Sequence, residues 1–92
     1  MEFLVRFEVN APESMAPEER ERLRTLERAR ANELRELGVL TRLWRVPGRR
    51  AVIGLWEAVD ATALHDALAS LPMFPWMDVN VEPLAAHPQE QK

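Results

Sequence analysis

Apolar and polar positions alternate along the first ten residues. Phe3, Val5, Phe7 and Val9 interleave with Leu4, Arg6, Glu8 and Asn10, which is the period of a strand with one buried face. Pro12 ends it. From Pro17 the period changes, and Leu23, Leu26, Ala31, Leu34 and Leu37 mark one side of a helix. Pro17 suits its first turn, Glu18, Glu19 and Glu21 complement the positive end of its dipole, and Gly38 supplies the stop. Ala16 is a weak cap, with Ser14 as the alternative.

Two more strands are predicted, Val39 to Val46 and Arg50 to Glu57, joined as a hairpin by Pro47-Gly48-Arg49. Asp60 caps a second helix that carries Leu64, Leu68 and Leu71 and stops before Pro72. The run Met73-Phe74-Pro75-Trp76 then reads as an extended connection into a last strand, Met77 to Leu84, with Met77, Val79 and Val81 inward. The order βαββαβ resolves most simply into a ferredoxin-like α+β sandwich, one antiparallel sheet with two helices on one face.

Composition limits what this sandwich can do. The 92 residues suit a single domain, 1–92, with 85–92 as a flexible C-terminal tail. Such a chain buries only about 60–65 % of its unfolded surface, so association with further copies is a useful source of stability. There are no cysteines, which excludes disulfides and thiolate chemistry and fits a reducing cytoplasm. His65 and His87 are too few for a metal site. A net charge of −3, mixed along the chain, argues against nucleic acid. No segment approaches the roughly 20 apolar residues of a membrane span, so a soluble cytoplasmic chain is expected.

One polar position breaks the pattern. At about 100° per residue Glu27 falls between Ala31 and Leu34, inside the apolar stripe. A carboxylate there is expensive unless paired or facing a cavity. Arg30, three residues on, is the expected partner of an ion pair; unpaired, Glu27 would have a raised pKa and could take and return a proton. Arg42, Arg45, Arg49 and Arg50 surround the hairpin, either as solvated strand edges or as donors to a carboxylate or oxyanion. His65 lies at the edge of the second helix, and Trp44 and Trp56 sit on the hairpin strands as core, interface or ligand surface.

Leu64-His65-Asp66, Leu71-Pro72-Met73-Phe74-Pro75-Trp76-Met77-Asp78, Leu43-Trp44-Arg45 with Gly48, and His87-Pro88 together resemble the muconolactone isomerase family of aromatic catabolism, in its 3-oxoadipate branch. The likeness extends from Phe3 to Pro88 and includes Glu27. It implies a ferredoxin-like subunit in a homodecamer built from dimers, with Met73, Phe74 and Trp76 covered by a neighbour. It also implies a small-molecule lactone substrate, Glu27 as the acid–base residue, and no metal, flavin or nicotinamide cofactor. Arg45, Arg50, His65, Val52 and Trp44 are the candidate substrate-binding positions.

The chain also departs from that pattern. Where the family has His-Tyr-Ala-Asn after the hairpin glycine, it reads Arg49-Arg50-Ala51-Val52, so a phenol and an amide are missing. Leu26 and Arg30 replace an acidic and an apolar residue. Three readings follow: a cofactor-free lactone isomerase, a related enzyme such as a lactone dehalogenase or cofactor-independent oxygenase, or an oligomeric binding protein that has lost its chemistry.

Overall fold

The computed structural model describes residues 1–90. Its elements are β1 (Glu2–Val9), α1 (Pro17–Glu36), β2 (Leu40–Arg45), β3 (Ala51–Glu57), α2 (Ala61–Ala69) and β4 (Met77–Leu84), with 3₁₀ turns at Phe74–Trp76 and Pro88–Glu90. The strands form one antiparallel sheet in the order β2-β3-β1-β4. Leu34 of α1 and Leu64 and Leu68 of α2 share a core with Phe3, Val5, Leu40 and Trp56. Both helices therefore cover the same sheet face, and the ferredoxin-like α+β sandwich stands.

Local chemistry explains the boundaries. Gly38, at φ 76°, ends α1 in a left-handed turn, with Val39 N–H donating to Leu34 O at 2.9 Å and Gly38 N–H to Arg35 O at 3.0 Å. Asp60 caps α2 by accepting from the Ala63 N–H at 2.8 Å. No side chain caps α1. Ser14 does not take that role, and the incoming chain is held instead by Met15 N–H on Pro12 O and by Arg20 Nη2 on Pro12 O at 2.9 Å. Pro47 and Gly48, the latter at φ 76°, occupy the central positions of a turn closed by Arg49 N–H on Val46 O.

Three expectations change. Leu26 and Leu37 are 43 % and 70 % exposed, because they lie about 60–80° round the helix from Leu34, at the margin of the stripe. Val81 faces inward as expected, opposite Val5, but stays 41 % exposed because β4 is an edge strand. Third, the 71–76 run is not extended: Phe74 N–H reaches Leu71 O and Trp76 N–H reaches Met73 O, both at 3.0 Å. Proline's fixed φ suits a single 3₁₀ turn as well as an extended chain, and a turn this short does not need its missing N–H. Asn10 N–H bonds to Trp76 O at 2.8 Å and ties the turn to the end of β1.

The compact turn brings Leu71 and Met73 inward, each 5 % exposed, and leaves Phe74 half-buried against the core. Met73 is thus covered by its own subunit rather than by a neighbour. The tail from Ala85 is exposed through Glu90, and residues 91 and 92 of the expected flexible segment lie outside the described residues.

Candidate active site

Between α1, the cleft side of the sheet and the 71–76 turn lies a cleft of about 400 Å³, a size that suits a small organic molecule. Its sheet wall is built by strand alternation: Val52, Gly54 and Trp56 share one face of β3, and Leu43 stands opposite Gly54 on β2. Met73 closes the cleft from the turn, and Glu27 enters from α1. Most of the lining is apolar.

Both carboxylate oxygens of Glu27 are buried and have no hydrogen-bond partner among the described residues. Burial raises its pKa above the ordinary glutamate value; the Met73 backbone N–H opposes the shift without reaching hydrogen-bond geometry. Arg30 does not pair with it. That guanidinium binds elsewhere, with Nε on Ser70 Oγ at 3.0 Å and Nη1 on Glu33 at 2.9 Å, so the expected Glu27–Arg30 ion pair is absent. A second unpaired group lines the same cleft: the Trp56 ring is 1 % exposed, and its Nε1–H is buried without an acceptor among the described residues. A buried donor left unpaired costs about 1–3 kcal/mol.

Among the six positions singled out by sequence, Glu27 and Val52 come together at the cleft. Trp44 does not, because it stands opposite Ile53 on the other face of the sheet, 42 % exposed, with the Arg42 guanidinium 5.0 Å from its ring centre. Arg45 faces the same side as its partner Val52 but stays exposed outside the lining, and Arg50 is exposed in the hairpin connection. His65 is exposed on α2, its ring 5.9 Å from that of Phe74 and edge-on. Positive charge enters the cleft from elsewhere, through Arg20, Arg24 and Arg28 of α1. Their four-residue spacing brings them along the flank of the stripe that holds Glu27, a signal visible in the sequence but lost among the helix's other charges.

The family model for muconolactone delta-isomerase matches residues 1–90. The chain belongs to the muconolactone isomerase family. A relative from Acinetobacter lwoffii, muconolactone delta-isomerase 2, is 41 % identical over 87 residues, covering 95 % of this chain and 91 % of its own. The muconolactone delta-isomerase of Pseudomonas aeruginosa is 39 % identical, with coverages of 96 % and 92 %. A crystal structure of muconolactone isomerase superposes with a TM-score of 0.91 at 35 % identity, covering all of this chain and 96 % of that one.

Proposed function

We propose that the cleft isomerises muconolactone, or a close unsaturated lactone acid, to its enol-lactone in the 3-oxoadipate branch of aromatic catabolism, with Glu27 as the proton carrier. The observation that carries this reading is a carboxylate buried in a mostly apolar cleft, with no ion-pair or hydrogen-bond partner among the described residues and raised in pKa by burial, in a chain of this family. Glu27, ionised, removes the proton from the ring carbon γ to the lactone carbonyl. The C–H electron pair becomes the new ring double bond, the former double bond moves towards the carbonyl carbon, and charge collects on the carbonyl oxygen. Return of the same proton to the α carbon restores the carbonyl. Substrate and product are isomers, so the atom balance calls for no redox partner.

Charge elsewhere in the cleft suits the substrate's carboxymethyl arm. Arg24 and Arg28 line the wall that carries Glu27, with Arg24 Nη1 3.9 Å from Glu21, and Arg20 stands a turn nearer the helix start with its guanidinium on Pro12 O. These are better placed for that carboxylate than Arg45 or Arg50. A carboxylate paired near the rim also leaves Glu27 as the basic group facing the ring.

Self-association into a dimer-built decamer belongs to the same reading. Its support is exposed apolar surface on both edge strands: Leu43 and Trp44 on β2, and Val81 and Leu84 on β4, each 38–42 % exposed. A cytoplasmic location accords with the lack of cysteine and with the finding that no described helix is long and apolar enough to cross a membrane.

The test is turnover of muconolactone by the purified protein, with Glu27→Gln as the matched control. Turnover that falls by about 10²–10⁴-fold in the variant supports the assignment. An equally active variant removes Glu27 from the mechanism.

A further inference from the structure

Glu27 can remove a proton only if something takes up the charge that appears at the far end of the conjugated system. On the sheet wall Val52 offers no hydrogen bond, and Arg50 stands outside the cleft. Two positions further along the same strand face than Gly54 lies Trp56, whose buried indole N–H has no acceptor among the described residues.

The indole edge that carries this N–H packs directly over a glycine. A Cβ built on Gly54 would lie 2.6 Å from Trp56 Nε1, a distance that carbon does not tolerate, with tight contacts of 3.2 Å to its Cδ1 and 3.3 Å to Leu43 Cδ2. Gly54 itself needs no left-handed backbone, so its value is the room it gives the indole edge. Glycine inside a strand commonly marks such a close approach. Leu43 packs beside the same edge, is 41 % exposed and lines the cleft, so a ligand in the cleft reaches the N–H when this side chain turns aside.

We propose that the Trp56 indole N–H is the donor that holds the lactone carbonyl oxygen and stabilises its negative charge while Glu27 carries the proton. The cleft then contains one unpaired acceptor on the helix wall and one unpaired donor on the sheet wall, and a planar lactone satisfies both at once. The indole keeps its proton throughout; only the γ proton moves, first to Glu27 and then to the α carbon. Preorganised donors of this kind act mainly on the transition state, because the charge they meet is absent from the ground state. This inference rests on the isomerase reading above and deepens it.

Trp56→Phe keeps a ring in the core and deletes only the donor edge. The expected result is a kcat lower by about 10²–10³-fold, a KM within about threefold, and an unfolding temperature no lower than the parent's. Gly54→Ala, which pushes a methyl group against the N–H, is expected to lower kcat in the same way. Wild-type kcat in a folded Trp56→Phe overturns the proposal and leaves the isomerase intact.

A second measurement does not depend on turnover or on the variant's folding. The saturated lactone acid, which lacks the ring double bond, is titrated into ¹⁵N-labelled wild-type protein while the indole N–H signals of Trp44, Trp56 and Trp76 are followed. A downfield shift confined to the Trp56 signal supports the donor even if muconolactone is not turned over. Binding without that shift, or no binding at millimolar ligand, counts against it.

Discussion

Arg30 donates to Ser70 Oγ at 3.0 Å, joining α1 to the C-terminal end of α2 across 40 residues of sequence. The same guanidinium also donates to Glu33, and Arg30 therefore forms no ion pair with Glu27. Replacing Arg30 by Gln is therefore expected to cost about 0.5–1.5 kcal/mol of stability, the usual worth of one such hydrogen bond, and to leave the acid limb of the pH–rate profile in place. An upward shift of that limb in the variant reveals a Glu27–Arg30 interaction and contradicts the geometry.

The raised pKa of Glu27 has a consequence for stability. The native state binds this proton more tightly than the unfolded chain, so stability falls as pH rises from the ordinary glutamate value of about 4.3 through the raised native value. Below that window the group is protonated in both states and makes no difference; above it the buried charge exerts its full penalty. Glu27→Gln removes the titration. Melting curves at several pH values are expected to find the variant more stable than the parent at pH 7–8, with the gap closing below about pH 4.

Catalysis should follow the opposite side of the same titration. Glu27 must be ionised to accept the γ proton, so kcat/KM is expected to rise with pH along a limb whose midpoint lies above the ordinary carboxylate range. A limb centred near or below about 4.3 indicates a solvated or ion-paired base.

Arg24→Gln and Arg28→Gln are expected to raise KM by about tenfold or more with a smaller change in kcat, since a charge-assisted hydrogen bond is worth roughly 1.5–3 kcal/mol and the arm is bound equally in ground and transition states. Arg35→Gln, exposed at the far end of the same helix, is the matched control. Equal KM values for all three variants point to another site for the carboxylate arm.

Met73 contributes to both the core and the cleft wall. Its truncation to alanine is expected to cost about 2–5 kcal/mol, measured by chemical denaturation, and to widen the site.

Much of this was readable before any coordinates. Phe3-Val5-Phe7-Val9 announced β1 by period alone, Asp60 and Gly38 carried their capping chemistry in plain view, and Glu27 stood out because a charge within an apolar stripe needs a reason. The prolines of the 71–76 run misled, since a fixed φ near −65° serves an extended chain and a 3₁₀ turn equally, and only the backbone bonds from Phe74 and Trp76 decide between them. The arginines of α1 were hidden by abundance, as flanking charges on a helix otherwise solvated. The packing of the Trp56 indole edge over Gly54, beside Leu43, depends on registry between two strands, which no single-chain period reveals.

Arg20, Arg24 and Arg28 also make α1 a graduated scale. A helix advances about 1.5 Å per residue, so successive guanidiniums are anchored about 6 Å apart along one rigid rod, while the proton carrier keeps its place beside them. If the carboxylate arm binds here as proposed, an acid with a longer arm is expected to meet the next mark on the scale without any change in the backbone. Length discrimination would then be rewritten one arginine at a time, by erasing a mark rather than by reshaping the cleft.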